Sequence, residues 1–218
     1  MQPDTQPAPA VPQPGPRPPL WIDTDLALGA GRGDVDDGYA LAAVLCADPS
    51  RLLGISTVSG NAPADVAAGC TRELLAAAAI AKDVVPGAAR AGQDTAAAEA
   101  IAALPTGTRL LALGPLSNIA AALRRDPSLA QRITLYLVGG NLSSRGRFPP
   151  LWPHEFNLAL DPQAAAQVFA APLHRRVHPM DACGRLRVGG RDLLRLAAAS
   201  PLGAFLVAHS LRWWLLSP

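Results

Sequence analysis

The feature that most constrains the fold of this chain is a repeated alternation between short apolar segments and segments with helical spacing. Apolar segments typical of buried strands lie at 20–22, 52–58, 83–85, 110–113, 133–138 and 176–180. Helical spacing is found at 35–47, 64–81, 116–125, 161–170 and from 190 onward. Strands linked through helices form right-handed βαβ units with parallel strands. The pattern therefore predicts an α/β fold, a mainly parallel, Rossmann-like sheet flanked by helices.

The first part of the chain differs from the rest in composition. Residues 1–19 are rich in proline, glutamine and alanine. Proline lacks the backbone donor, and so little apolar surface does not offset the entropy lost on ordering. We expect a disordered, partly polyproline II tail here, with a ligand for a proline-recognising module as the alternative. Residues 20–218 are then predicted to form one domain, since 218 residues suffice for one core.

Charge and hydropathy argue against two classes of partner. The formal net charge is +2, the cations are almost all arginine, and no basic stripe carries interleaved aromatic residues, so a nucleic-acid partner is not expected. No apolar run approaches the roughly 18 residues that span a bilayer, and no secretory signal opens the chain, so no membrane partner is expected.

The cysteines indicate a reducing compartment. Cys46, Cys70 and Cys183 are widely spaced and odd in number, which favours neither a zinc site nor a disulfide framework. We interpret them as small buried residues. Together with the missing secretory signal, they make the cytoplasm the expected location.

The predicted strand ends show where to look for a site. In open parallel sheets ligands bind beyond the carboxyl ends of the strands. Polar and glycine residues gather at four such ends, at 23–25, 59–61, 113–114 and 139–141. The chemistry of the chain is therefore expected on one rim of the sheet.

Acidic residues concentrate at the first of these ends. Five of the 17 acidic residues fall between positions 23 and 37, with Arg32 as the only cation among them; they are Asp23, Asp25, Asp34, Asp36 and Asp37. Clustered carboxylates repel one another, and a hard cation such as calcium or magnesium resolves the conflict. For Asp34 the simpler interpretation is a helix cap, and for Asp23 a role in shaping the strand end.

An ordered series of motifs resembles the inosine-uridine nucleoside hydrolase family. The series opens with Asp23-Thr24-Asp25 and Asp36-Asp37-Gly38, and it spans roughly residues 20 to 216. Further matches are Thr57 to Asn61, Leu113 to Ala120, Val138-Gly139-Gly140, Glu155-Phe156-Asn157 and Asp161 to Ala165. Each motif is weak by itself, whereas the ordered set is specific. The resemblance implies a nucleoside hydrolase-like architecture and calcium-dependent hydrolysis of ribonucleosides to ribose and free base, as in purine and pyrimidine salvage.

The resemblance also implies a role for each matching residue. Asp25 resembles the aspartate that binds calcium and activates the attacking water, and Asp37 the main carboxylate ligand. The backbone carbonyl of Leu113 matches a further calcium ligand. Side chains expected to hold the ribose are those of Asp36, Asn61, Glu155 and Asn157. These residue types suit the reaction, because cleavage of an N-glycosidic bond passes through an oxocarbenium-like state that oriented hydroxyl groups and a nearby base assist.

Several of these residues also have simpler interpretations. Asn61 could be a turn residue and Glu155 a surface carboxylate. Asn118, near a helix start, is expected to be a local backbone partner and not a ligand. The four histidines, at 154, 174, 178 and 209, are interpreted as structural or surface residues, although His154 adjoins Glu155.

Three departures from the family pattern bear on activity. The loop from Leu26 to Arg32 is an insertion, and its glycines predict a flexible excursion. Residues 147–150 replace an asparagine usual in the family. The family's C-terminal segment, with a histidine-aspartate pair, has no match, and Asp181 does not replace it. A helix ending in Trp213 to Leu216 needs cover, which fits a fragment or a homo-oligomer.

Two alternatives stand beside the hydrolase hypothesis. One is a catalytically impaired member of the same fold that binds ribose and calcium weakly or not at all. The other is a phosphatase of the haloacid dehalogenase type, which also has D-x-D after a strand. Ala27 occupies the position where that class carries threonine or valine, so we regard it as the weaker alternative.

Overall fold

The sheet has the predicted parallel arrangement. A computed structural model describes residues 17–30, 33–142 and 155–216, with only the backbone at Leu216. Six strands pair in the order β3-β2-β1-β4-β5-β6, and every neighbouring pair is parallel. The strands are β1 (Leu20–Thr24), β2 (Leu52–Thr57), β3 (Val84–Pro86), β4 (Thr108–Ala112), β5 (Ile133–Val138) and β6 (His174–His178). This order is that of a doubly wound Rossmann-like sheet, which confirms the predicted fold class.

Helices connect the strands and continue after the last one. They are α1 (Asp36–Ala47), α2 (Ala64–Ala77), α3 (Ala96–Ala102), α4 (Ser117–Arg125), α5 (Leu129–Arg132), α6 (Phe156–Leu160), α7 (Pro162–Ala170), α8 (Met180–Cys183), α9 (Gly190–Ala199) and α10 (Pro201–Leu216). Asp161 caps α7 as predicted: its Oδ1 accepts from the Ala164 amide, and Pro162 opens the helix.

Two hydrophobic clusters cover opposite faces of the sheet. Side chains of α3, α4 and α7 pack with Trp21, Leu110 and Leu135 on one face. On the other face, side chains of α1, α2 and α10 pack with Ile22 and Ile55. All five residues of β1 are buried, because this strand lies inside the sheet with helices on both faces. The core therefore holds the carboxyl end of β1 in a fixed place.

The predicted element bounds hold with a few corrections. Helix α2 ends at Ala77 and not at residue 81, since Ala79 turns the chain away with a φ of 54°. The short helices α3, α5, α6 and α8 were not predicted, because segments this short carry little apolar periodicity.

The residues just before β1 contact the rest of the chain. The Pro18 carbonyl accepts from Arg51 Nε, and the Pro19 carbonyl accepts from the Arg109 amide. Residues 1–16 lie outside the described part of the chain, so the division into a tail and a domain at about residue 19 stays a prediction. Within the described part, no helix is both long and apolar enough to cross a bilayer.

The prediction of buried cysteines was wrong, and the loop after β1 begins with buried leucines. Cys46 is exposed, and Cys70 and Cys183 are only partly buried, so the cysteines are not core residues. Conversely, the loop predicted as a flexible excursion starts inside the core: Leu26 and Leu28 are almost fully buried and pack against α1 and α10 side chains. Leu26, Ala27 and Leu28 are three consecutive apolar residues, and their burial places the start of the loop in the core.

Candidate functional site

The candidate site lies where the sheet order reverses. Strand β1 has β2 on one side and β4 on the other, and the chain passes first to β2 and later to β4. At such a switch point the loops leaving neighbouring strands diverge and leave a crevice beyond the strand ends. The sequence placed Asp23 and Asp25 at this end of β1, and the structure confirms their position there.

Asp25 is enclosed by backbone on two sides. Its side chain is fully buried, and its Oδ2 accepts from the Asn61 amide at 2.6 Å. A Cβ atom at Gly60 would lie 1.9 Å from Asp25 Oδ2, and one at Gly114 would lie 3.0 Å from Oδ1. Glycine is therefore required at the end of β2 and favoured after β4, where the chain passes the carboxyl group. Oδ1 is buried and has no hydrogen-bond donor among the described residues.

Asp37 reaches the same place from the first turn of α1. It is 7% exposed, and its Oδ2 accepts a hydrogen bond from the Thr24 hydroxyl. The Thr24 hydroxyl in turn accepts from the Leu26 amide. Thr24 therefore links the end of β1 to α1, a role the sequence reasoning missed although the residue lies inside the D-x-D motif.

The carboxyl groups of these residues influence one another strongly. Burial raises the pKa of Asp37 well above its ordinary value, and the neighbouring Asp25 and Asp36 carboxylates raise it further. Burial also raises the pKa of Asp25, with Asp37 close enough to interact through a hydrogen bond. The segments that carry these carboxyl groups meet through Thr24, which precedes Asp25 in the chain and bonds Asp37, while a cation shared by the two carboxyl groups stays a prediction.

Asp36 lies at the outer edge of the cluster. Its side chain keeps contact with solvent, and its Oδ1 accepts from the Asp37 amide. Close packing of protein around the carboxyl group, followed by the nearby charges of Asp34 and Asp25, raises the pKa of Asp36 to about 6. Asp36 is therefore the most exposed carboxyl group of the cluster.

Asp23 and Asp34 serve different purposes from Asp25 and Asp37. Asp23 is fully buried, and its Oδ1 accepts from Ser56 Oγ at 2.6 Å and from Asn118 Nδ2 at 2.8 Å. Burial raises the pKa of Asp23 to about 7. Asp34 is not the predicted helix cap: the N-cap position of α1 is Val35, whose amide donates to Asp34 Oδ1. Because Asp34 lies one residue before the N-cap, its carboxylate bonds the adjacent Val35 amide and not an amide in the first turn of α1.

Asn157 joins the ends of two strands. Its Nδ2 donates to the Leu113 carbonyl at 2.7 Å and to the Val138 carbonyl at 3.2 Å. A carbonyl oxygen has two lone pairs, so Leu113 keeps one for another partner. Both amide hydrogens of Asn157 are thus directed at the strand ends.

Glu155 and Asn61 contact the backbone in ways the sequence did not predict. Both carboxylate oxygens of Glu155 cap α6, accepting from the Asn157 and Leu158 amides at 3.0 Å each. Asn61 contributes its backbone amide to Asp25, while its side chain is half-buried beside the same carboxyl group. These residues gather on the predicted rim. His154 lies outside the described residues.

The donor set fits a hard cation only in part. Among residues 17–30, 33–142 and 155–216, no group of three or more His, Cys, Asp or Glu side chains is arranged to hold a metal ion. The expected set, with the Asp25 and Asp37 carboxylates and the Leu113 carbonyl, needs only two such side chains. All three groups supply oxygen, which calcium prefers, and the donorless Asp25 Oδ1 leaves a negative atom uncompensated. These oxygens suit calcium by their chemistry, and oxygens from substrate or water would have to complete the set of ligands.

A surface cavity of about 320 Å³ lies along the sheet, and none of the site carboxylates lines it. Its lining extends from Leu20 and Arg109, at the amino ends of β1 and β4, to Leu113, Val138 and His178 at the carboxyl ends. Leu113 and Val138 are the residues whose carbonyls Asn157 contacts. A larger depression of about 510 Å³, beside Leu53 and Lys82, lies away from the carboxylates and is not related to them.

Comparison with known proteins gives one consistent result. The sequence profile of the inosine-uridine preferring nucleoside hydrolases matches residues 20–214. A non-specific ribonucleoside hydrolase of Klebsiella pneumoniae (strain 342) is 28% identical over 87% of this chain and 70% of its own. A second such hydrolase, of Escherichia coli (strain SMS-3-5 / SECEC), is 30% identical over 69% of this chain and 57% of its own, so the chain spans well under the full length of these relatives.

Solved structures agree at the level of the fold. The inosine-uridine preferring nucleoside hydrolase from Bacillus anthracis superimposes with a TM-score of 0.70 at 18% identity, covering 89% of this chain and 76% of that one. At that identity the likeness extends to the arrangement of strands and helices.

Proposed function

Because the chain belongs to the inosine-uridine preferring nucleoside hydrolase family, we propose that it hydrolyses the N-glycosidic bond of ribonucleosides in a calcium-dependent reaction. The observation that supports the proposal is the contact between the end of β1 and the start of α1, where Thr24 bonds Asp37 beside Asp25, whose buried Oδ1 has no donor among the described residues. The expected substrate is a small ribonucleoside, and a cytoplasmic location and homo-oligomer formation stay predictions.

The residues would divide the work as follows. Asp37 and the Leu113 carbonyl would hold the ion together with Asp25, and the ion would supply a positive charge that orients ribose hydroxyl groups. Asp25 would accept a proton from the attacking water, whose oxygen bonds the anomeric carbon as the bond from that carbon to the base breaks. The base would leave with the electron pair of the broken bond and take up a proton from solvent. The Asn61 amide, which bonds Oδ2, fixes the direction of the Asp25 carboxyl group for this role.

The side chains at the mouth would bind the sugar. Asp36 is the exposed carboxyl group of the cluster, so it accepts hydrogen bonds from ribose hydroxyls. Asn61, Glu155 and Asn157 would hold the remaining hydroxyls from neighbouring strand ends. Orientation of this kind lowers the barrier because the sugar ring and the water no longer have to be brought together by chance.

One observation favours the alternative of a catalytically impaired ribose-binding protein. Both oxygens of Glu155 and both amide hydrogens of Asn157 are used within the protein, so each must exchange or share a contact to bind sugar. An atom that already bonds the protein forms a weaker hydrogen bond to a ligand. A carboxylate oxygen of Glu155 can nevertheless accept more than one hydrogen bond.

A hydrolysis assay separates the two functions. The purified chain is incubated with inosine and with uridine, with calcium or with chelator, and free base is measured. Release of base that depends on calcium, falls at least about 100-fold in Asp25→Asn, and persists in the matched rim variant Asp34→Asn supports hydrolysis. Ribose binding without base release supports the alternative, and base release that is unchanged in Asp25→Asn contradicts the proposed mechanism.

A further inference from the structure

A single amide side chain joins the ends of several strands beneath the candidate site. Asn118 lies in the first turn of α4 and is fully buried. Its Oδ1 accepts from the Ala88 amide at 2.8 Å, and its Nδ2 donates to Asp23 Oδ1 at 2.8 Å and to the Thr57 carbonyl at 2.9 Å. The three partners belong to β1, to the end of β2 and to the segment after β3. Asn118 is therefore not the local backbone partner that the sequence indicated.

The backbone packs closely around the Asn118 side chain. A Cβ atom at Gly87 would lie 2.4 Å from both amide atoms of Asn118 and 2.4 Å from the Thr57 carbonyl oxygen. The backbone after β3 therefore passes against the amide with room for glycine alone. Both hydrogens of the amide have acceptors and its oxygen has a donor, so all of its directional bonds are fixed.

The partners of Asn118 connect to the two segments around Asp25, which are β1 and the turn 59–61. Asp23 precedes Asp25 by two residues on β1, and the Val58 amide, next to Thr57, donates to the Thr24 carbonyl at 3.0 Å. The Ala88 carbonyl accepts from the Ser59 amide at 2.9 Å. Ser59 opens the turn 59–61, whose last amide bonds Asp25 Oδ2.

We propose that Asn118 is a positioning residue, which sets the end of β1 against the turn 59–61 and thereby fixes the direction of the Asp25 carboxyl group. It touches neither substrate nor ion. The link to catalysis rests on the proposed function, whereas the link to the geometry of Asp25 does not.

A neighbouring residue on the same helix provides a matched control. Ser117 is also buried, and its Oγ donates to Asp161 Oδ2 at 2.6 Å, toward α7 and away from the carboxylate cluster. Asn118→Ala and Ser117→Ala each remove buried hydrogen bonds within one turn of α4. Both variants should melt at a lower temperature than the wild type, and only Asn118→Ala should loosen the segments around Asp25.

Hydrogen exchange of the metal-free protein tests the geometric claim. The amides of Ser59 and Asn61 are compared with that of Leu135, which lies inside β5. In Asn118→Ala, exchange at Ser59 and Asn61 should rise at least about tenfold relative to Leu135, as expected for loss of a buried hydrogen bond. Ser117→Ala should leave that ratio unchanged. An unchanged ratio in Asn118→Ala, or an equal rise in both variants, overturns the proposal.

A second variant keeps the test decisive if the alanine variant does not fold. Asn118→Ser keeps a polar side chain at the start of α4, but serine is too short to reach the Ala88 amide, Asp23 and the Thr57 carbonyl. It should show the same selective rise in exchange at Ser59 and Asn61, and normal exchange there contradicts the positioning role.

Calcium titration and kinetics then connect the geometry to function. The calcium Kd and the KM for inosine should rise about tenfold or more in Asn118→Ala and stay within about twofold of wild type in Ser117→Ala. If the wild type itself neither binds calcium nor releases base, the proposed function fails, while the exchange ratios still decide the positioning claim. If the wild type is active and both variants match it, the link from Asn118 to catalysis is wrong.

Discussion

The substitution Asp23→Asn removes a titrating carboxyl group from the inside of the sheet while keeping its shape. Asp23 Oδ1 accepts from Ser56 and Asn118, and an asparagine oxygen accepts the same two bonds. Oδ2 is buried and has no donor among the described residues. The variant therefore changes the charge of the site with little change in its contacts.

The magnitude follows from the pKa of the group. Burial raises the pKa of Asp23 from 3.8 to about 7. Between these values the folded chain binds one proton more than the unfolded chain, so the free energy of unfolding falls as pH rises from about 4 to 7. A shift of roughly 3 units, at about 1.4 kcal/mol each, amounts to about 4 kcal/mol lost across this window.

The variant should lack this pH-dependent loss. At pH 4.5 the wild-type carboxyl group is protonated, and its hydroxyl hydrogen lacks an acceptor as the asparagine amide does. Asp23→Asn should therefore match the stability of the wild type within about 1 kcal/mol at pH 4.5 and be more stable at pH 8. A stability difference that grows with pH distinguishes the charge effect from a packing defect.

Urea unfolding of chelator-treated protein between pH 4.5 and 8 measures the effect. Asp65→Asn, an exposed change in the first turn of α2, is the control and should follow the wild-type curve within about 0.5 kcal/mol. A stability difference between Asp23→Asn and wild type that stays constant over the whole pH range would refute the argument from burial.

Three further substitutions test other parts of the structure. Asp161→Ala removes both the cap of α7 and the acceptor of Ser117, and should lower the free energy of unfolding by about 2 kcal/mol in a urea titration; an unchanged midpoint contradicts the role of the cap. Asp37→Asn relieves repulsion from Asp25 and Asp36, so the metal-free variant should be more stable than wild type above pH 7, whereas its base release should fall at least about 100-fold. Glu155→Gln keeps one acceptor for the α6 amides and should raise the KM for inosine with little change in melting temperature; a change in melting temperature alone would assign Glu155 to capping only.

The parallel sheet and the position of the acidic cluster were predictable from the sequence. Apolar residues repeat with different periods in strands and in helices, so the two kinds of element can be told apart. Ligand-binding polar residues of parallel sheets lie at the carboxyl ends of the strands. The convergence of Asp25 and Asp37 followed from one strand end and one helix start that the chain connects directly. Local sequence order was enough for these features.

Contacts between distant segments were not predictable in the same way. Asn118 and Asp23 are 95 positions apart, and Ser56 and Asp23 are 33 apart. Nothing in the local sequence of Asn118 indicates that its amide reaches three strand ends, because a helix-start asparagine more often bonds nearby backbone. The burial of Leu26 and Leu28 was missed for a related reason: glycines further along the loop indicate flexibility, whereas tertiary packing fixes its first part.

Calorimetric titration of calcium into the chelator-treated chain, beside Asp25→Asn, Asp37→Asn and the rim variant Asp34→Asn, tests the shared cation site most directly. We expect one ion per wild-type chain, retained in Asp34→Asn and weakened at least about tenfold in the other two variants, since each removes a charged ligand. Absence of binding to the wild type, or equal binding by all four proteins, would show that the carboxylates at the end of β1 do not share an ion.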